Sequence, residues 1–145
     1  MSFARFVQGS VLAALFVPLL AFAADIVAKP AAGSPEEAVL ESLKLMRDGN
    51  ADAWMAKWCQ PGHCDSEGQK EDLRAHMLKQ AMLSSKNCLY KDASGQDGIK
   101  VKRVAGDPAT ATAIKIYVEC THTQYPPPAA LIKVDGAWKV TSIPW

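Results

Sequence analysis

The amino-acid sequence predicts an α+β fold in which two to three N-terminal helices precede an antiparallel meander of strands. Up to Ser85, apolar residues recur at helical spacing. Beyond Cys88 the period changes, and apolar residues alternate with polar ones, as they do in half-buried strands. Helices grouped before strands are typical of α+β domains.

The first 23 residues have the pattern of a signal peptide. A head with one charge, Arg5, precedes an apolar run over residues 11–24, and Ala21 and Ala23 are the small residues that a signal peptidase requires. The run is shorter than the roughly 20 apolar residues of a membrane-crossing helix. We therefore expect cleavage before Ala24, export to the periplasm, and no membrane insertion of the mature protein.

The mature chain is expected to be one domain with a short leader. Removing 23 of the 145 residues leaves 122, which is enough for a single hydrophobic core. Residues 24–33 have little to bury and are expected to form a flexible tether, so the domain would span residues 34–145. Arg5 is the only charge lost, so 15 basic and 15 acidic side chains remain. This balance predicts no binding to nucleic acid, and we expect a monomer, with a homodimer as the alternative.

Capping residues mark the starts of the first two helices. Ser34, Pro35 and Glu37 form the pattern of a capping box with proline at the first helical position. This helix should end at Gly49, and Asn50 should cap a second helix that ends near Cys59.

A third helix is predicted over residues 71–85. Its buried stripe at regular helical spacing would be Leu73, Met77 and Ala81, joined by His76.

The strands are predicted from alternation and from turn residues. If Asp107-Pro108 lies at the centre of the first turn, Ile99 falls opposite Ile116 and Val101 opposite Ile114. Two further strands, residues 129–134 and 137–143, are joined by Asp135-Gly136, a strong signal for a two-residue hairpin.

Four cysteines in an exported chain are expected to form two disulfides. Of the three connectivities, we favour Cys59 with Cys64 and Cys88 with Cys120, because Pro61-Gly62 can fold the chain back between the first two. Cys59, His63 and Cys64 could instead bind zinc, but their spacing is unusual for a zinc site, so no metal and no cofactor are expected.

The order of elements and two motifs resemble the nuclear-transport-factor-2-like superfamily, and more narrowly its small exported bacterial domains of unknown function. The motifs are residues 34–39, Ser-Pro-Glu-Glu-Ala-Val, and the final hairpin with Asp135, Gly136, Trp138 and Val140. The resemblance implies a cystatin-like cone, in which the helices pack on the concave face of a curved antiparallel meander sheet. Because the strand face expected to point inward lacks a carboxylate, the resemblance to the enzymes of that superfamily is weaker.

Two groups of residues are candidates for function. Asp72 and His76 are four residues apart on a helix, so the carboxylate could orient the imidazole as a general base. A solvated pair, or a histidine at the edge of the core, is the structural alternative, and we expect His76 to pack there. Four residues could line an apolar pocket under the cone, although such side chains also fill cores: Trp54, Met55, Trp58 and Met77.

These features favour a non-catalytic exported domain that binds a protein partner or a small apolar ligand in the cell envelope. One alternative is a small hydrolase or isomerase that uses Asp72 and His76. Another is an accessory or immunity-type partner protein, whose whole surface would be its functional part.

Overall fold

A computed structural model describes residues 25–144; the predicted signal peptide and its cleavage site before Ala24 lie outside the described residues. The helical elements are α1 (Pro35–Arg47), α2 (Ala51–Trp58), α3 (Glu67–Asp72), a π-helical turn (Leu73–Met77), α4 (Leu78–Ser85) and a 3₁₀ turn (Lys86–Cys88). The strands are β1 (Ile26–Val27), β2 (Tyr90–Lys91), β3 (Asp97–Ala105), β4 (Ala113–Val118), β5 (Ala129–Val134) and β6 (Ala137–Ser142). Within residues 25–144, none of the helices has the length and apolar character needed to cross a membrane.

The sheet is antiparallel and strongly curled, and the helices pack on its concave side, which confirms the predicted fold class. Its strand order is β1-β3-β4-β5-β6, with β2 paired to one end of β3. The core lies between α1 and the sheet, where Val39 and Leu43 join Ile99, Ile116 and Leu131 in full burial. Burial of these aliphatic side chains is the main term that holds the two layers together.

The first two helices begin where their caps predict. The Ser34 hydroxyl accepts a hydrogen bond of 3.2 Å from the Glu37 N–H, and the Asn50 side chain accepts one of 3.2 Å from the Ala53 N–H. The Glu37 carboxylate differs from a standard capping box because it accepts from the Gly33 N–H, at 2.7 Å. The helix starts are therefore fixed by contacts within four residues of the cap.

The third helical segment departs from the predicted regular helix. In the π-helical turn the N–H of Leu78 bonds to the carbonyl of Leu73, five residues earlier, so the turn holds one extra residue. Leu73 and Leu78 are consequently the buried pair, whereas Met77 is half exposed and His76 lies in solvent. The prediction that Met77 and His76 belong to the buried stripe is wrong, because the extra residue rotates both away from the core.

The segment expected to be a tether contains a strand. Ile26 and Val27 of β1 pair with Lys100 and Ile99 of β3, and they cross directly over Gly98. A Cβ atom at Gly98 would lie 2.6 Å from Cγ2 of Ile26. The glycine therefore provides the space that lets the N-terminal strand approach the sheet.

The pairing of β3 with β4 differs from the predicted register. Val104 lies opposite Ile116 and Val101 opposite Val118, with a bulge between Val101 and Arg103. The connection is a loop over residues 106–112, in which the Asp107 carboxylate accepts from the Ala109 N–H at 2.9 Å. Asp107-Pro108 thus begins a longer loop instead of forming the centre of a tight turn.

The final hairpin and the disulfides have the predicted connections. Asp135 and Gly136 have φ angles of 49° and 81°, and Val134 pairs with Ala137 across this two-residue turn. Cys59 is bonded to Cys64, and Cys88 to Cys120. Two disulfides indicate an oxidising environment of the kind that exported proteins meet.

Candidate functional site

One end of the half-barrel has a groove between the π-helical turn and the last strand. We call it the β6 groove and define it by the five residues that line both of its parts: Trp54, Leu73, Met77, Val140 and Thr141. Leu73 and Met77 are the two ends of the π-helical turn, and Val140 and Thr141 belong to β6, which is the edge strand of the sheet. The groove therefore forms only when α2, the π-helical turn and β6 pack together.

The inner part of the groove is small and apolar. Its volume is about 40 Å³, and it is closed by the core side chains Met46, Leu78, Ala81 and Ile143 together with Ser142. A cavity this size holds a few non-hydrogen atoms, since one water molecule occupies roughly 10 to 15 Å³ on the same scale. The outer part has about 210 Å³ and a more polar rim, formed by Cys59, Gln60, His63, Gln69 and Asp72.

The floor of the groove is held by a buried hydrogen bond. The Trp54 indole N–H donates to the hydroxyl of Ser42, and both side chains are buried. This bond satisfies the polar atom of Trp54 within the protein, so the indole presents an apolar surface to the groove. Because Ser42 lies on α1, the groove floor is tied to the main core.

The rim of the groove is held by a short disulfide and a capping box. The disulfide between Cys59 and Cys64 closes the loop that carries Gln60 and His63. The Gln69 side chain accepts from the Ser66 N–H at 3.0 Å and donates to the Gly62 carbonyl at 2.7 Å. A rim fixed in this way keeps the outer part of the groove open without a large entropic cost when a ligand binds.

Two of the four residues predicted to bind an apolar ligand are in this groove. Trp54 lies in its floor and Met77 on its edge, where half of the Met77 surface is exposed. Met55 is buried in the core, and Trp58 borders a separate depression of about 390 Å³ beside the β5–β6 turn. The indole N–H of Trp58 has no hydrogen-bond partner among residues 25–144. The structure thus brings together Trp54 and Met77 and separates them from the other two.

Asp72 and His76 form the predicted pair but do so in solvent. The Nδ1 atom of His76 lies 3.3 Å from Oδ1 of Asp72, and the two side chains are 77% and 69% exposed. Only Asp72 borders the outer groove. The hydroxyl of Thr141, which lies nearby, donates to the Ala130 carbonyl at 3.1 Å. The pair is therefore exposed to solvent, and the Thr141 hydroxyl is engaged within the sheet.

The residues considered for zinc are engaged in disulfide bonds. Cys59 and Cys64 are joined to each other, so their sulfur atoms are not free thiolates beside His63. Within the described part of the chain, Cys88, Cys120 and His122 also bring ligand atoms within 4.8 Å of one another. Here too both cysteines share a disulfide.

Several groove residues could not be recognised as a site from the sequence. Val140 and Thr141 follow a simple strand pattern, and Gln60 and Gln69 lie in segments without a ligand-binding motif. The available signal was the five-residue spacing of Leu73 and Leu78 with a methionine immediately before the second leucine. Read as a π-helical turn, that spacing would have placed Met77 at the surface.

Comparison of the chain with protein-family models, curated proteins and solved structures finds no match. Membership of the nuclear-transport-factor-2-like superfamily stays a prediction from its motifs.

Proposed function

We propose that this protein is a non-catalytic domain, exported to the periplasm, that binds an apolar side chain of a protein partner in the β6 groove. The observation that carries the proposal is the combination of a small apolar inner cavity with a larger, rigid and more polar outer part. A small aliphatic side chain, or the tip of an aromatic one, would enter the inner part, and the polar groups of its backbone would meet Gln60, His63 and Asp72 on the rim.

The size of the cavity favours a side chain over a free small molecule. Pockets for small ligands usually enclose about 300 to 1,000 Å³ and bury most of the ligand. The inner part here holds about 40 Å³, so a free ligand would remain mostly in the open outer part. A protein partner avoids this difficulty because the rest of its contact area lies outside the groove.

The surface beside the groove supports a protein partner. Met77 also borders a depression of about 350 Å³ with Gln80, Leu83 and Ser84, and Leu83 is 63% exposed. Met77 and Leu83 therefore extend the apolar surface from the groove along α4, between the polar side chains of Gln80 and Ser84. Exposed apolar surface that continues from a pocket is characteristic of protein contact sites.

Peptide selection followed by NMR tests this proposal. Peptides selected from a random library on the folded mature protein should be rich in aliphatic or aromatic residues and should shift the indole N–H resonance of Trp54. Met77→Glu should weaken their binding at least about tenfold, because it places a charge on the apolar edge. Ala75→Glu is the matched control, since Ala75 is exposed in the same turn but does not border the groove. The affinity of this variant for the peptides should stay within about twofold of the wild-type affinity.

The alternatives predict other results. Peptides that bind Met77→Glu as tightly as the wild type would contradict the groove proposal and favour an accessory or immunity-type contact elsewhere on the surface. A small fatty acid that saturates the Trp54 shift while selected peptides do not would favour the small-ligand alternative. Turnover in a broad substrate screen, lost in His76→Gln, would favour the hydrolase or isomerase that uses Asp72 and His76.

A further inference from the structure

The four methionines of the described chain differ sharply in exposure. Met46 is 2% exposed and Met55 is 8% exposed, so both are enclosed by the core. Met82 is partly buried, with its methyl group against Gly49. Met77 is 50% exposed and is one of only three large apolar side chains within residues 25–144 that are exposed.

The exposure of Met77 is a product of the local fold. In a regular helix, Met77 would lie four residues after Leu73 and share its buried face. The π-helical turn gives that place to Leu78 and leaves the Met77 side chain at the junction of the inner groove, the outer groove and the depression on α4. A thioether therefore lies on the edge of the β6 groove, where the groove meets the apolar surface along α4.

We infer that Met77 is a site of reversible oxidation by peroxides and that its oxidation closes the β6 groove to an apolar side chain. A lone pair on the sulfur attacks one oxygen of the peroxide, the O–O bond breaks, and an S–O bond forms. The sulfur loses two electrons, which the second peroxide oxygen accepts. The attacked oxygen gives up its proton to that second oxygen, so the sulfur becomes a sulfoxide and the second oxygen leaves as water or an alcohol.

The surroundings of Met77 explain why the sulfoxide would act against binding. The new oxygen is a hydrogen-bond acceptor, and it would lie beside Leu73 and Val140, which offer only apolar side chains. The indole N–H of Trp54 is already bonded to Ser42 and is not available as a donor. An apolar side chain entering the groove would displace water from the groove side of the sulfoxide oxygen, and the donor groups of Gln60, His63 and Gln69 lie on the outer rim. This loss of hydration is unfavourable. This second part of the inference rests on the proposed function.

Oxidation of the folded mature protein with hydrogen peroxide, followed by peptide mass mapping, tests the site itself. Met77 should be oxidised at least about tenfold faster than Met46 and Met55, because rates follow access of the oxidant to the sulfur. Its oxidation should shift the Trp54 indole N–H resonance, and methionine sulfoxide reductase should reverse both changes. Equal oxidation rates for Met77 and Met46 would overturn the assignment.

Two leucine variants test the effect on binding. In the wild type, oxidation should weaken a selected groove peptide about tenfold, as expected for one polar group that loses hydration. Met77→Leu should bind the peptide and keep its affinity after peroxide treatment, whereas the control Met82→Leu should remain as sensitive as the wild type. Sensitivity that persists in Met77→Leu would overturn the inference.

A failure of the proposed function would be seen separately, as the absence of peptide binding before any peroxide is added. In that case, selective oxidation of Met77 with a reversible Trp54 shift would still support the oxidation site.

Discussion

Helix α1 and the third helical segment cover the same half-barrel but present their side chains differently. Along α1, the apolar residues from Ala38 through Leu43 to Met46 are buried except Leu45, which is partly buried. In the third segment the buried residues are Leu73, Leu78 and Ala81, and the first step between them is five residues. One additional residue in a turn is enough to change which side chains reach solvent. The regular helix α1 thus contributes side chains to the core, and the irregular segment beside it forms one wall of an accessible groove.

The two regions also differ in their ion pairs. Arg47, at the end of α1, donates to Asp97 on β3 at 2.7 Å, and the Asp97 side chain is only 13% exposed. The third segment is joined to α2 by a solvent-exposed pair, Arg74 with Asp52. The pair on α1 links two layers of the fold, whereas the exposed pair adds little to stability.

Among the single substitutions, the largest effect is expected for Leu78, the residue that takes the place of Met77 in the core. Leu78→Ala should lower the free energy of unfolding by about 2 to 5 kcal/mol, because a buried leucine is truncated. Met77→Ala, one residue earlier, should cost less than about 1 kcal/mol because half of its surface is already exposed. Urea unfolding of both variants provides the comparison. Equal losses would mean that the helix continues without a π-helical turn.

Loss of the ion pair on α1 should have the next largest effect. Asp97→Asn should destabilise the protein at neutral pH by about 1 to 2 kcal/mol. This is the lower end of the range for a hydrogen-bonded charge, because Lys91, the second partner of Asp97, is exposed to solvent. Glu41→Gln is the control, because Glu41 pairs with an exposed lysine, Lys57.

The effect of Asp97→Asn should depend on pH in a defined direction. Hydrogen bonds from Lys91 and Arg47 hold the pKa of Asp97 below its ordinary value of 3.8. The carboxylate therefore contributes fully above pH 3.8, and its contribution is lost as the pH falls through the lower pKa of the folded state. The stability difference between wild type and variant should narrow over this acidic range. A difference that stays constant with pH would contradict a role for the charge.

The two helices should differ in how well they tolerate the deletion of one residue. Removing Ala75 would convert the π-helical turn into a regular one and leave Leu73 and Leu78 four residues apart on the same face. The unfolding free energy should then stay within about 1 kcal/mol of the wild type. Removing Lys44 from α1 rotates every later side chain by about 100° and should prevent folding. Circular dichroism melting curves distinguish these outcomes. An unfolded protein after removal of Ala75 would contradict the view that the π-helical turn contains one additional residue that the fold can lose.

The smallest effect is expected for His76. Its side chain is exposed, so His76→Gln should change the free energy of unfolding by less than about 0.5 kcal/mol. This replaces the sequence-based expectation that His76 packs at the edge of the core. A loss of more than 1 kcal/mol in urea unfolding would restore that expectation.

The sequence alone determined the features that depend on neighbouring residues. Ser34 and Asn50 start their helices, Asp135-Gly136 turns the last hairpin, and the spacing from Cys59 to Cys64 closes a short loop. Each of these depends on contacts made within a few residues, so it can be recognised before the fold is known. The division into helices first and strands afterwards follows from the same kind of local periodicity.

Only the tertiary structure decided which side chains of the third helical segment face the core, how β3 pairs with β4, and where the groove forms. The π-helical turn at Leu73 places both leucines in the core, and that choice depends on the strands and helices opposite. The register of β3 against β4 depends on a bulge and a loop, and β1 finds its place because Gly98 leaves room for Ile26. Each of these features has an irregular backbone that is stabilised because it buries side chains against distant segments. The sequence of one segment does not show which distant side chains it will meet. For this reason Met77, predicted in the buried stripe of its helix and as a possible pocket residue, lies exposed at the edge of the candidate site.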